Sequence, residues 1–482
     1  MSRINRRNFL RTSALAGPAA SAIAAATPPQ QEESPATATD VTRRLARYVV
    51  SARAEDLPAG VRQEATRTLL NWTGCAVGGS RHTTVDIAIS ALSPFSGPAQ
   101  ATILGRRERM DVMHAALMNG ISSHVFDFDD THLRTVVHPA GPVASAILAF
   151  AEYRPVSGAD FLNALVLGAE VECRIGRAVY PAHYDVGWHI TGTVGPFGAA
   201  AAVGKLLQLS EQQMVWALGL AATQPVGLRE MFGTMTKSFH PGRAAQNGIT
   251  AALLASRNFT SSSQGIEAPR GWAGVLSTAR NYAAITENLG SHFEISENSY
   301  KPFPCGVVIH PAIDGCIQLR NQHRLAWGEI ERVELKVHPL VLELTGKKSP
   351  QTGLEGKFSV YHAVAAAIID GVVGEKQFSD QAVRSADAVA LRGRVTATVD
   401  PAVAEDQVRI TILMKDQRRL EKFVEHCVGS VRNPMTNAQL ESKFTGLADG
   451  ILPAEQTRRL MEISWNIASL PDAAQLARAA SV

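Results

Sequence analysis

Cysteine is scarce in this sequence and widely spread: five among 482 residues, at Cys75, Cys173, Cys305, Cys316 and Cys427. No CxxC pair occurs, which excludes a zinc ribbon or a closely spaced iron–sulfur motif, and an odd, dispersed set argues against a disulfide framework. Each cysteine is expected as a small buried apolar side chain. Charge of one sign is not in excess: 47 Lys and Arg oppose 44 Asp and Glu, a formal net charge of +3. The basic residues are scattered and not clustered with aromatics, so no nucleic-acid face is expected. Long apolar runs are missing as well. No window after residue 30 reaches the roughly eighteen uninterrupted apolar residues of a membrane span, so no membrane anchor is expected. No internal repeat is evident.

Length and apolar content are present in full measure. The 482 residues, 45% of them hydrophobic, suffice for two or three domains and a sizeable core. Arg6-Arg7-Asn8-Phe9-Leu10-Arg11 opens an Ala/Gly-rich stretch with small residues near Ala24–Ala26. This reads as a twin-arginine-type export signal over 1–26, a receptor-read address that predicts a periplasmic protein. The alternative is a cytoplasmic protein with an Ala-rich extension. Residues 27–40 read as a polar disordered linker. Over 41–298 the signals are helical. Leu45, Val49 and Ala52 recur at helical spacing, Val61, Ala65, Leu69 and Leu70 form a stripe, and Ser210 with Gln213 spells a capping box. The texture changes over 299–428. Ile330–His338, Arg394–Val399 and Val408–Met414 alternate apolar and polar residues as half-buried strands do, with a helix at Ser359–Ile369. Helical signal returns over 429–482, and this last piece is expected to pack back on the first. The predicted fold is mostly α, with a smaller α+β unit late in the chain.

The densest chemistry lies between Asn119 and His138. Three carboxylates (Asp127, Asp129, Asp130) and three imidazoles (His124, His132, His138) interleave with Val125, Phe126 and Phe128. That alternation implies part burial, which is how a protein shifts a pKa for acid–base work. Asp127-Phe-Asp129-Asp130-Thr131 also spells a phosphatase-like DxDxT string, but a helical pattern precedes it where a buried strand is needed. Asp and His suit zinc, iron or manganese, yet no spacing such as HExxH fixes a metal geometry. Gly187-Trp188-His189-Ile190-Thr191-Gly192-Thr193 reads as a turn opening a helix, whose free N–H groups favour an anion. Arg229, Lys237, His240 and Arg243 alternate with glycines and hydroxyls, a stretch suited to carboxylates. Tyr300-Lys301-Pro302-Phe303-Pro304-Cys305 stiffens the chain where a cleft between domains would lie. Gly353 to His362, with Lys357 and Phe358 inside it, is a Gly-rich turn into a helix.

Together and in this order, the motifs resemble the MmgE/PrpD family, which includes 2-methylcitrate dehydratases, cis-aconitate decarboxylases and iminodisuccinate epimerases. The resemblance covers nearly all of residues 42–470. It rests on Asn119-Gly, His124, Asp127-Phe-Asp-Asp-Thr-His, Glu172-Cys-Arg-Ile-Gly, Gly187-Trp-His, Gly227-Leu-Arg-Glu, Lys237, His240-Pro-Gly-Arg, Lys301-Pro-Phe-Pro-Cys, Gly356-Lys-Phe-Ser and Asn433-Pro-Met-Thr. It implies a large helical domain assembled from both chain ends, an α+β domain inserted late, an active site between them, a homodimer, and no metal or organic cofactor. The positions matching the family's site are Asp127, Thr131, His138, His189, Lys237 and Lys301. There are departures. The Thr131-to-His138 spacing is one residue longer than in the decarboxylase branch. His362 stands where that branch has a tyrosine, and Gly306 where it has a histidine. These count against cis-aconitate decarboxylation.

The expected activity is that of a hydro-lyase, dehydrating a small hydroxy di- or tricarboxylate such as 2-methylcitrate by α-proton abstraction. Asp127, His138, His189, Lys237 and Lys301 are the expected catalytic group. Thr131, His240, Arg243 and His362 are the expected substrate contacts. Lys237, Lys301 and Arg243 would hold carboxylates, and His138 and His189 would be the acid–base pair, in an order left open. The alternatives are an epimerase or isomerase, a decarboxylase, and a non-catalytic carboxylate-binding protein. Activity is expected to survive prolonged chelation, since no ligand spacing implies a metal.

Overall fold

A computed structural model describes residues 40–482. The segment read as an export signal, and all but the last residue of the stretch read as a linker, lie outside the described residues. Helices Ala59–Gly79, Val112–His124, Ala140–Tyr153, Gly158–Val179, Ile190–Leu206 and Met235–Ser256 pack on one another to form the larger unit. Several are buried on nearly every side, because small residues line them and let their backbones approach. One crossing fixes the site. A Cβ on Gly120 would lie 2.3 Å from the Gly242 Cα, and one on Gly242 would lie 2.3 Å from the Leu117 carbonyl oxygen. Only glycine at both positions seats the helix bearing Lys237 and His240 against the helix ending at His124. Caps set the boundaries: Asp111 accepts from the Met113 and His114 N–H groups, and Ser210 and Gln213 form the expected capping box.

The C-terminal helices Asn437–Ala448 and Ala454–Trp465 return to this unit. Leu440, Phe444 and Leu460 share a core with Leu69, Leu70 and Trp72 of the Ala59–Gly79 helix, so the helical unit is built from both chain ends. The α+β unit lies late in the chain. Its sheet has the spatial order Val395–Val399, Ile330–Val337, Val408–Met414, Arg419–Val424. The first pair is parallel and the other two are antiparallel. Val333, Leu335, Val337, Val408, Ile410, Ile412 and Met414 form a core with helices His310–His323 and Val360–Asp370. Ile330 joins that core out of phase with Val333, and a register shift between Ile330 and Arg332 accommodates it. Arg419–Val424 was not among the expected strands. It is an edge strand whose Arg419 and Glu421 are exposed while Lys422 sits half-buried on the core-facing side; such charges are a usual protection against unwanted pairing.

All five cysteines are buried and free. No helix among the described residues is long and apolar enough to cross a membrane. A short antiparallel ladder matters more than its length suggests. Asp130, Thr131 and His132 pair with Tyr300, Ser299 and Asn298. This pairing brings the loop after His124 beside Lys301, at the seam between the two units.

Candidate active site

Asp127 follows the Val112–His124 helix and adopts φ +52°, a conformation an aspartate tolerates better than most residues. Its Oδ1 accepts from Lys237 Nζ at 3.0 Å and from Lys301 Nζ at 2.5 Å. Lys301 also donates to the Asp127 carbonyl at 3.2 Å. All three groups are buried. Each ammonium has three N–H donors. Lys301 spends two on Asp127, and Lys237 spends one on Asp127 and one on His124 Nε2 at 2.9 Å. Each lysine thus keeps one donor for a further acceptor.

The histidine tautomers follow from their partners. His138 Nδ1 lies 2.7 Å from the Asp130 carbonyl, which can only accept, so Nδ1 carries the proton and Nε2 presents a lone pair. The His138 backbone N–H donates to Thr191 Oγ1, in the first turn of the Ile190–Leu206 helix, at 3.0 Å. His124 Nδ1 donates to Asp129 Oδ2 at 2.6 Å, leaving Nε2 to accept from Lys237. His189 is different. Its Nδ1 lies 2.8 Å from the Nδ1 of His240, so a single proton is shared between the two rings. When His240 donates it, His189 carries its own proton on Nε2; when His189 donates it, Nε2 is a lone pair. Gly227, at φ +107°, makes this pairing possible: a Cβ there would lie 2.8 Å from the His240 ring.

Burial drives the electrostatics. It pushes His138 and His240 down to about 3 and His189 well below the usual value, helped at His189 by His240 and Lys237. All three are neutral at physiological pH. Burial opposes the charge on Asp127, but Lys237 and Lys301 outweigh it and hold the carboxyl well below its ordinary range. For Lys301 burial is likewise overcome by Asp127 and Asp129, and its pKa is raised. Lys237 goes the other way: burial, with Lys301 adjacent, lowers it. Asp130 is pushed up to about 7 by burial and by Asp129.

A cavity of about 50 Å³ opens on these groups, lined by Asp127, Thr131, His138, His189, Lys237 and Lys301 among others. Six expected site residues therefore meet in one place. His240 stands behind His189 and reaches the cavity only through it. Two expectations are corrected. Arg243 is exposed, hydrogen-bonds Gln246 and does not line the cavity. His362 is buried in the α+β unit, where Nε2 bonds the Gln377 carbonyl at 2.8 Å and the ring meets Phe378. Neither is placed to hold a substrate carboxylate.

Two further lysines, Lys357 buried and Lys443 half-buried, complete the site, and the sequence did not single them out as site residues. Lys357 Nζ donates to the carbonyls of Phe126 (2.8 Å) and Pro304 (2.9 Å) and pairs with Glu375. Lys443 Nζ donates to the carbonyls of Phe128 (2.6 Å) and Lys301 (2.8 Å) and to Asn71 Oδ1 (2.7 Å), and sits 3.9 Å from the Phe128 ring centre. The carbonyls flanking Asp127 are thus tied to the Lys301 loop from both sides, once by each unit. Lys443→Met should orphan the Lys301 carbonyl and Asn71 Oδ1, at about 1–3 kcal/mol each, and leave the Phe128 carbonyl only the Cys75 thiol. A thermal or denaturant melt should register that loss, and an unchanged melt would show the clamp is idle.

Ligand atoms of His124, His138 and His189 lie within 4.8 Å of one another, as do those of His124, Asp127 and Asp129. Either set could hold a metal, but Lys237 already occupies His124 Nε2 and Asp127 Oδ1, so an ion in the second set would have to displace an ammonium group.

Comparison with known proteins adds to this geometry. The description of the MmgE/PrpD N-terminal domain matches residues 43–284 and that of the MmgE/PrpD C-terminal domain matches residues 303–468. A cis-aconitate decarboxylase of Aspergillus terreus is 24% identical over 465 residues, covering 90% of this chain and 95% of its own. The cis-aconitate decarboxylase of Homo sapiens is 25% identical over 455 residues, 90% and 93% of the two chains. A 2-methylcitrate dehydratase of Cupriavidus necator is 22% identical over 445 residues, 83% and 89% of the two.

Proposed function

The chain belongs to the MmgE/PrpD family, and we propose that it is a hydro-lyase removing water from a small hydroxy di- or tricarboxylate. One observation carries the reading. In a single buried cavity, a histidine fixed as a proton acceptor, His138, faces a histidine able to present a proton, His189, beside two ammonium groups. The free donors of Lys237 and Lys301 hold the substrate carboxylate and the negative charge that grows on it. His138 Nε2 takes the proton α to that carboxylate. The C–H electrons form the new C=C bond as the β C–O bond breaks. The departing hydroxyl takes the Nε2 proton of His189 and leaves as water while His240 passes the shared Nδ1 proton to His189; the pair is then one proton short and His138 one proton over, and return of that proton from His138 to the pair resets the site. Bound carboxylates offset the lysine charges that depress His138, moving it toward a useful base strength.

Decarboxylation is the second reading, supported by the relatives from Aspergillus terreus and Homo sapiens, which bear that name. The same lysines would stabilise the carbanion left by loss of CO₂. Gly306 favours dehydration: it lines the cavity where the decarboxylase branch is expected to carry a histidine, so no extra proton donor stands there. The test is to incubate the purified protein with 2-methylcitrate and with cis-aconitate in deuterated water. Dehydration predicts conjugated-alkene absorbance from the first. CO₂ release from the second alone would establish decarboxylation. Deuterium exchange without either product would indicate epimerisation, and no exchange at all would indicate binding only.

A further inference from the structure

Next to the catalytic cavity lies a second, far larger one of about 550 Å³. The two share five wall residues: Thr131, Val136, Lys301, Val307 and Val308. The larger chamber has the size of an ordinary small-molecule pocket, whereas the catalytic cavity, about 50 Å³, has room for a reacting head group only. Their chemistry differs as much as their size. Beyond the shared wall the chamber is faced by Leu133, Cys427, Val428 and Val431. Its charged groups do not invite an anion. Glu297, Glu405 and Asp406 outnumber Arg134 and Arg432. Arg134 is already paired with Glu297 at 3.1 Å, and Asp406 with His426 at 3.0 Å. The Lys301 ammonium, on the shared wall, is directed to Asp127. Val136, which lines both spaces, is held at φ +52°, a costly backbone for a β-branched residue and of the kind that gathers at functional sites.

We infer that the chamber holds an apolar substituent of the substrate, so that the preferred carboxylate carries an alkyl chain longer than methyl. The inference rests on the proposed reading of the neighbouring cavity as the place where the carboxylate head reacts. In this arrangement the carboxylates meet Lys237 and Lys301. The chain passes Val136 and Val308 and lies against Leu133, Val428 and Val431. A small tricarboxylate such as citrate would leave that wall wet and contribute nothing to its own binding. Each methylene moved from water onto the wall should instead add affinity.

The test is a chain-length series on the full protein. Calorimetry measures binding of methyl-, butyl- and hexylsuccinate, and kinetics compare 2-methylcitrate with 2-butyl- and 2-hexylcitrate. Binding and kcat/KM should rise by about two- to fourfold per added methylene. Affinity that stays flat or falls with chain length would overturn the chamber assignment, even if 2-methylcitrate is dehydrated. Tightening along the succinates with no alkylcitrate dehydrated would keep the chamber and defeat the hydro-lyase reading instead. Val428→Asp should abolish the gradient, read as the slope of binding across the succinate series. Val431→Asp, at a position about half exposed and so safe for folding, should weaken it. A gradient that survives both variants would show that the chain binds elsewhere and overturn the assignment.

Discussion

His138→Asn should leave a folded protein whose kcat is lower by about 10²–10⁴-fold, the usual worth of a positioned acid or base. The Asn amide sits where Nδ1 was, so the bond to the Asp130 carbonyl survives while the Nε2 lone pair is lost. A residue that only packed would behave in the opposite way, with a lower melting temperature and nearly normal turnover. The pH profile gives a second readout. His138 must be unprotonated to act, so the wild-type rate should fall as pH drops through its pKa. In the free protein that pKa is pushed down to about 3 by burial, with Lys301 and other nearby positive charge adding to the shift. Substrate carboxylates neutralise the lysines, so the acid limb of kcat should lie at higher pH than the acid limb of kcat/KM. In the variant this limb should disappear. Turnover within threefold of wild type would remove His138 from the proton transfer.

Asp127→Asn should destabilise the fold by about 3–5 kcal/mol at pH 7, the cost of removing one partner from a buried ionic cluster. The carboxylate lies between two buried ammonium groups, and without it Lys237 and Lys301 face each other with no counter-charge between them. The pH dependence has a definite sign. In the wild type the Asp127 pKa is far below its unfolded value, so its contribution is complete at neutral pH and is lost only as pH falls into strong acid. In the variant the lysines carry the lowered pKa. The folded state then prefers a neutral amine, and stability should recover as pH rises toward 10. Denaturant melts at pH 7 and pH 10 measure both effects. A loss under 1 kcal/mol, or a deficit that does not narrow at high pH, would show that the two lysines are not charged together.

The helices and strands were largely legible because their signals are local. The period-2 runs at 330–338 and 408–414 form strands, and the Ser210–Gln213 box caps a helix. Arg419–Val424 escaped notice because Arg, Glu and Lys interrupt it, and its pairing partner rather than its own pattern makes it a strand. Arg243 misled for a geometric reason. Helix positions advance about 100° per residue. His240, three residues beyond Lys237, lies within about 60° of it, whereas Arg243, six beyond, falls about 120° away and faces solvent. Lys443, between Ser442 and Phe444 in an amphipathic helix, reads as a solvated lysine. Only the backbone carbonyls that converge on it reveal otherwise.

The sequence by itself determined the family, the mostly helical architecture with its late α+β unit, and the types of group available for chemistry. These follow from residue identity and short spacing. Tertiary structure decided what those groups can do. Asp127 and Lys301 are 174 positions apart and meet because strand 130–132 pairs with strand 298–300. Lys237 joins them because Gly120 and Gly242 let two helices touch. The role of each histidine was settled by its partner: a carbonyl for His138, a second imidazole for His189. A backbone carbonyl is present at every residue, so the sequence carries no mark of which one will fix a tautomer. Packing alone selects it.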